Sequence, residues 1–405
     1  MGLGAEPGLE DLATPRSRLF KDESKLSPDY VPMSLPHREA QLEKLASLFS
    51  VLLKHPGSSS VKVWLVGGVG TGKTATSKRF GALLELLARR RGIDIRYVHV
   101  NCYKDRTFFV VAKRIAQRVL PSLPERGFSA QELLELTRRG LNDQDSFLVV
   151  ALDEVDYLVR CAGERPLYAL TRFCEEHLNA PERLSLILIS RSHPSLLELS
   201  ASVASSSWQG AIYFDPYTSS QILDILRQRA SEAFVEGAVS EEALALVADL
   251  TGADGLGTGD ARFALELLWW SGKIAEGRGE EAINPDVVRA AYAQLSPSFS
   301  RESLSLLTGH ERLLLLAIAR ALRRTGKAYV STGEVEAEYV DLCRALGEEP
   351  RGHTRLWSIV KSLAAAGLIY SKVVCGRGGR TTLMNLAGME AAHLELLLES
   401  SLRGR

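Results

Sequence analysis

The run Gly67, Gly68, Val69, Gly70, Thr71, Gly72, Lys73 and Thr74 fits the spacing G-x-x-x-x-G-K-[ST], and that spacing is suited to phosphate chemistry. Glycines let successive backbone N–H groups curl around an anion, and a helix starting at the end of the run adds the partial positive charge of its N-terminus. Lys73 is expected to reach the β and γ phosphates of a nucleotide and Thr74 to offer its hydroxyl to Mg²⁺, with Ala75 counted among the contacts. Asp153 and Glu154 follow an apolar run at 147–152, where a phosphate-loop fold holds its metal-binding carboxylate. Asp153 should hold Mg²⁺ through water, and Glu154 is placed to orient or activate the attacking water. Alone, an acidic pair after a strand is an ordinary helix cap. Together with the glycine-rich run it predicts binding of ATP or ADP with Mg²⁺.

Both motifs need a strand behind them and a helix ahead. Val61, Val63, Leu65 and Val66 around Trp64 form a short apolar, β-rich run, and a helix through Leu87 is predicted after the glycines. Further strands are predicted at 95–100, 147–152 and 184–190, with helices at 42–53, 107–120, between the last two strands, and after Ser129, where Glu132 completes a capping box. Strands alternating with helices indicate a mostly parallel, doubly wound α/β sheet. Past Pro216 the pattern turns helical, at 219–233, 240–249, 260–276 and 285–295, and a serine-rich link at 296–305 follows. The last stretch predicts helices near 311–324, 331–346 and 354–366 and two strands, 368–374 and 381–386.

The chain has 405 residues, enough for two or three domains. Its 45% hydrophobic and 24% charged residues are those of an ordinary globular protein. Residues 1–29 are rich in Pro, Ser, Gly and charge without apolar period, and suggest an arm rather than a packed element. No apolar run approaches the ~20 residues of a membrane span, and the start lacks the order of a signal peptide, so a cytoplasmic location and no membrane partner are expected. The five cysteines, Cys102, Cys161, Cys174, Cys343 and Cys375, are scattered and form no disulfide or zinc pattern. The formal net charge is zero, so contact with nucleic acid requires a local patch.

Four motifs taken together carry a family resemblance. They are Tyr30, Val31, Pro32, Leu35, Pro36, His37, Arg38 and Glu39 ahead of the phosphate loop, D-E-V-D from Asp153, F-D-P-Y from Phe214, and G-D-A-R from Gly259. Over about residues 25–390 the chain resembles the archaeal origin-recognition and helicase-loading proteins, AAA+ ATPases related to the eukaryotic origin recognition complex. After the arm of residues 1–29, the resemblance implies an AAA+ base (30–215), an all-helical lid (216–296) and a C-terminal winged-helix domain (301–405). It puts Tyr30, Val31, Pro32, His37 and Arg38 around the adenine, packs Tyr217 and Ile225 on the nucleotide from the lid, and makes Arg262 the lid arginine at the terminal phosphates. A fully ionised guanidinium fork near a helix start suits that last role.

Two places depart from the family pattern. Arg191, within Ile189, Ser190, Arg191, Ser192, stands where a polar Asn is usual, and residues 200–207 hold no arginine to serve as a finger toward a neighbouring subunit. Such a finger is worth about 10³ to 10⁵ in rate. Slow hydrolysis is therefore expected.

Residues 301–405 carry 15 Lys plus Arg against 11 Asp plus Glu, a net of +4. On the helix from about His353, an apolar stripe of Leu356, Ile359, Val360 and Leu363 leaves Arg355, Ser358 and Lys361 outward, with Thr354 near the start and Arg351 just before it. That is the layout of a recognition helix, whose N-terminal half meets base edges while flanking cations hold phosphates. Arg377 and Arg380, among glycines between two strands, resemble the wing of a winged helix. The resemblance adds a second contact at Lys104 and Arg106, in the insert where the family touches DNA. The sequence thus predicts a replication initiator that binds duplex origin DNA under control of ATP or ADP and helps to load the replicative helicase, possible co-subunits being paralogous initiators. The rival reading is an adaptor that loads the helicase through protein contacts, with little preference for DNA sequence.

Overall fold

Strands buried on both faces must be apolar throughout, and the run 147–152 is the clearest example. Its strand, β3 (Ser146–Asp153), is buried at every position. In the computed structural model β3 lies in a five-stranded sheet with β1 (Lys62–Gly67), β2 (Asp94–Asn101), β4 (Leu184–Ser190) and β5 (Ala211–Phe214), in the order β2-β3-β4-β1-β5. Every pairing is parallel. The structure describes residues 17–124, 127–173, 181–193, 210–295, 304, 307–376, 379–386 and 389–403.

Side-chain alternation along the strands sorts the helices into two layers. Val63, Leu65, Val149, Ala151, Ile187 and Ile189 face α1 (Glu39–Lys54) and α2 (Lys73–Arg90), through Leu45, Phe49, Phe80 and Leu84. Trp64, Val66, Leu148, Val150, Leu186 and Leu188 face the other layer, which includes α3 (Phe108–Val119) and α4 (Ala130–Asp143). Burying each such Val, Leu or Ile is worth about 1.5–3 kcal/mol. Because β3, β4 and β1 are successive parallel neighbours, the loops leaving their carboxyl ends lie side by side, and ligands of open α/β sheets bind at such ends. The single helix expected between β3 and β4 is instead two short ones, α5 (Val155–Ala162) and α6 (Arg165–Thr171), parted at Gly163. Strand β5 was not anticipated: four residues are too few to show a period.

The chain divides into two units, Val31–Tyr217 and a second made of Met1–Tyr30 with Thr218–Arg405. In the second unit the lid helices are α7 (Ser219–Ala233), α8 (Glu241–Thr251), α9 (Ala261–Arg278) and α10 (Pro285–Leu295). The described part of the N-terminal segment packs on them, contrary to the arm expected from its composition. Leu19, Phe20 and Leu26 are buried, Phe20 stacks on Phe234, and Glu23 accepts hydrogen bonds from Trp269 and Lys273. Three apolar residues in a polar stretch leave no period, yet together they seal the edge of the lid.

The winged helix follows, with α11 (Gly309–Thr325), α12 (Thr332–Leu346), α13 (His353–Ala365) and the hairpin β7 (Ile369–Gly376) and β8 (Gly379–Leu386). A two-residue strand, β6 (Val330–Ser331), pairs with β8, and a final helix, α14 (Ala391–Arg403), adds Leu394 and Leu398 to the core. Neither was foreseen from the sequence.

Candidate functional site

The phosphate loop leaves β1 at Gly67 and enters α2 at Lys73. Gly72, the N-cap, has φ 89° and ψ 5°, a left-handed conformation that favours glycine. A Cβ there would lie 2.6 Å from the Tyr217 hydroxyl, so position 72 has no space for a side chain either. Thr71 donates its hydroxyl to the Gly68 carbonyl at 3.0 Å, and the Lys73 amine donates to the Gly67 and Gly68 carbonyls at 2.7 and 2.5 Å. Val69 is exposed at the loop's tip, and Gly70 takes φ 67°. A loop of small residues that opens a helix, with an ammonium folded against it, fits a polyphosphate.

Arg38 is built into the same site. Only 4% exposed, it donates Nε–H to the Thr71 carbonyl at 2.8 Å, Nη1 to the His37 carbonyl at 2.9 Å and Nη2 to the Asp215 carbonyl at 2.8 Å. Its guanidinium lies 3.8 Å from the centre of the Tyr217 ring. Burial pulls the Arg38 pKa down and pushes the Tyr217 phenol up. Arg38 therefore braces the phosphate loop against the end of β5.

The metal station forms at the carboxyl end of β3. Asp153 is 4% exposed, and its Oδ2 accepts from the Thr74 hydroxyl at 2.6 Å and from His99 Nε2 at 3.1 Å, while its Oδ1 accepts from the Glu154 backbone N–H at 3.0 Å. Burial opposes ionisation of Asp153, but the hydrogen bonds from His99 and Thr74 and the charge of Lys73 outweigh it and hold the carboxyl below its usual range. Thr74 and Asp153 supply oxygens side by side, the hard donors that magnesium takes. Among the described residues no cluster of three or more His, Cys, Asp or Glu could cage a metal. The hard oxygen pair fits an ion that also uses phosphate and water, as magnesium commonly does.

Glu154 takes φ 56° and ψ 44°, and its Oε1 accepts from Arg191 Nη2 at 3.1 Å. Arg191 follows the end of β4, the strand between β1 and β3.

The first unit thus joins His37, Arg38, the loop from Gly67 to Thr74, Asp153, Glu154 and Tyr217 by direct contacts, and Val31, Pro32 and Ala75 belong to the same unit. Tyr30, Ile225 and Arg262 belong to the other unit. There the centre of the Tyr30 ring lies 4.3 Å from the Lys25 amine and 4.6 Å from the Arg229 guanidinium; Ile225 is half-buried on α7; and Arg262 is exposed in the first turn of α9, whose N-cap Asp260 accepts from its backbone N–H. Tyr217, expected to reach the nucleotide from the lid, is instead packed with Arg38 in the first unit. Sequence reasoning missed His99, Tyr97 and Ser77. The polar residues Tyr97 and His99 alternating with Val98 and Val100 on β2 were the available signal.

In the winged helix, α13 buries Leu356, Val360 and Leu363, with Ile359 half-buried, and exposes Thr354, Arg355, Ser358 and Lys361, with Arg351 exposed just before it. Lys104 and Arg106 are exposed after β2, Arg106 over the Tyr103 ring. Arg377, the side chain of Arg380 and the stretch 200–207 lie outside the described residues.

A parallel sheet with a phosphate loop after β1 and an acidic pair after β3, followed by a helical lid and a winged helix, defines an AAA+ protein of the initiator type. Three family descriptions match: "AAA domain" over residues 61–196, "Cdc6 AAA+ ATPase-type lid domain" over 223–293 and "CDC6, C terminal winged helix domain" over 302–393. The chain is 36% identical to ORC1-type DNA replication protein 2 of Sulfurisphaera tokodaii over 395 residues, 96% of this chain and 94% of that one. Among solved structures it resembles Cdc6p from Pyrobaculum aerophilum (TM-score 0.83, 32% identity, covering 95% of this chain and 99% of that one). It also resembles the Aeropyrum pernix ORC1 protein in complex with DNA (TM-score 0.62, 34% identity, 96% and 98%). The chain belongs to the ORC1-type (Cdc6) family of DNA replication proteins.

Proposed function

We propose that this protein is a nucleotide-controlled replication initiator that binds duplex origin DNA through its winged helix and through Lys104 and Arg106, and that helps to load the replicative helicase. The observation that carries the DNA reading is α13, where Thr354, Arg355, Ser358 and Lys361 stand exposed opposite a fully apolar stripe. Such a face gives cations to phosphates and shorter polar groups to base edges. The Aeropyrum pernix relative, solved with DNA, supports the same reading.

For the nucleotide, Lys73 would bind the β and γ phosphates and Thr74 with Asp153 would hold magnesium, Asp153 through water. When bound, the ion would neutralise phosphate charge. Glu154 would orient the attacking water, Arg262 would read the terminal phosphates, and Val31, Pro32, His37 and Ile225 would line the adenine. Arg38 serves that pocket by fixing the loop and Tyr217. With Arg191 on Glu154 and no asparagine at that position, hydrolysis is slow, and ATP acts more as a conformational ligand than as fuel. Its binding to the base and lid would set the orientation of the winged helix. Among the described residues no helix is long and apolar enough to cross a membrane. A cytoplasmic protein associated with DNA is in keeping with this reading, as are paralogous initiators as co-subunits.

Fluorescence anisotropy on labelled origin-region and scrambled duplexes, with ATP or ADP across a salt series, tests the proposal. Tighter, salt-sensitive binding to the origin duplex is expected. Arg355→Ala should weaken the origin complex by about 1–3 kcal/mol if it reads a base, while Lys361→Ala should weaken both duplexes alike and reduce the salt slope by about 1. Equal or absent binding to both duplexes would turn the reading toward a helicase-loading adaptor.

A further inference from the structure

The carboxylate that accepts from Thr74 at the end of the phosphate loop, Asp153, is held by a relay of side chains that the roles assigned above do not use. Ser77 Oγ lies 2.8 Å from Tyr97 Oη, Tyr97 Oη lies 3.2 Å from His99 Nδ1, and His99 Nε2 lies 3.1 Å from Asp153 Oδ2. Tyr97 and His99 are two apart on β2 and so share a face of the sheet, and Ser77 and Gly81 are four apart on α2 and so share a face of the helix. The two faces fit only because position 81 has no side chain: a Cβ there would lie 2.3 Å from the Tyr97 ring. The relay therefore has a space reserved for it.

Its direction follows from donor chemistry. A carboxylate only accepts, so Nε2 carries the proton toward Asp153; in the neutral ring Nδ1 then accepts from the Tyr97 hydroxyl, which in turn accepts from Ser77. Thr74 and His99 fix Oδ2 and the Glu154 N–H fixes Oδ1, so the carboxylate plane cannot turn. A carboxylate that must meet a metal's water shell benefits from such a hold, because a fixed plane sets which lone pairs point at the ion.

We propose that His99 is a positioning residue for the magnesium station, with Tyr97 and Ser77 fixing its ring. The assignment rests on the nucleotide reading given above. In the full chain, binding of a fluorescent ADP (N-methylanthraniloyl-ADP) is measured in EDTA and along a MgCl₂ titration, with circular dichroism as a check of folding. His99→Ala is expected to raise the Mg²⁺ concentration for half-maximal effect on ADP affinity by about 10-fold or more, with affinity in EDTA unchanged. His99→Asn, whose amide is too short to reach Asp153, should behave alike and serves where His99→Ala is unstable. His99→Gln, whose terminal amide can occupy the place of Nε2, should recover most of the wild-type response. An unchanged half-saturation in a folded His99→Ala or His99→Asn chain, or a loss of affinity equal in EDTA and in Mg²⁺, overturns the assignment. A wild type that binds ADP without responding to Mg²⁺ overturns it as well while leaving nucleotide binding intact, and a wild type with no affinity for ADP in either condition removes both.

Discussion

Glu154 pairs a left-handed backbone with a carboxylate engaged by Arg191, and a side-chain-bearing residue is held in such a conformation at a cost of about 1–3 kcal/mol. The acidic pair is therefore set by the turn after β3 rather than by propensity. The pair with Arg191 is exposed, with side-chain accessibilities of 59% for Arg191 and 31% for Glu154, so it is worth no more than about 1 kcal/mol. It restrains Glu154 without locking it. Wild-type turnover of ATP should then be no more than a few per second, and Arg191→Asn should raise kcat by up to about fivefold, the rate equivalent of ~1 kcal/mol. Phosphate release assays at saturating Mg·ATP check both. An unchanged or lower kcat would mean that Arg191 is not the restraint.

Helix ends carry much of the winged helix's local specification. Thr308 with Glu311 and Ser331 with Glu334 form full capping boxes on α11 and α12. Backbone hydrogen bonds from Thr308 and Ser331 hold the Glu311 and Glu334 carboxyls below their usual value of 4.5. Because these pKa values are lowered on folding, the stabilisation is complete above the unfolded value and is lost as pH falls through the folded one. Glu311→Gln with Glu334→Gln should lower the thermal midpoint at pH 7 by a few degrees, at about 0.5–1 kcal/mol per cap. The difference from wild type should shrink as pH is taken well below 4.5. A gap that stayed constant with pH would show that charge plays no part in these caps.

At the scale of the whole molecule, the second unit is joined internally by polar groups spanning lid and winged helix. Arg289 on α10, 1% exposed, donates Nε–H to Asn385 at 2.7 Å and Nη2 to the Lys327 and Ala328 carbonyls at 2.9 Å, and pairs with Asp286 at 2.5 Å. Asp249, in α8, accepts from the Tyr329 hydroxyl at 2.6 Å and the Lys372 amine at 2.5 Å. Burial pushes the Tyr329 phenol far up, so it stays a donor. Removing the guanidinium leaves Asn385, which is fully buried, and two carbonyls without their donor. Arg289→Leu should therefore destabilise the unit by about 3–5 kcal/mol, read from urea unfolding followed by circular dichroism. A midpoint equal to wild type would mean that water replaces the arginine freely.

The sequence by itself determined what depends on spacing along the chain. The phosphate loop, the acidic pair after an apolar strand, the helical lid and the amphipathic α13 all follow from patterns at intervals of one to four residues, which local sterics and burial impose wherever they occur. The tertiary structure alone decided contacts between residues far apart in sequence. Thr74 meets Asp153 across 79 positions, His99 meets it across 54, and Arg289 meets Asn385 across 96. The same holds for the use of Arg38 as a brace, the burial of Leu19 and Phe20, and the four-residue β5. Each depends on which elements pack side by side, and a side chain's own neighbours in sequence carry no record of that arrangement.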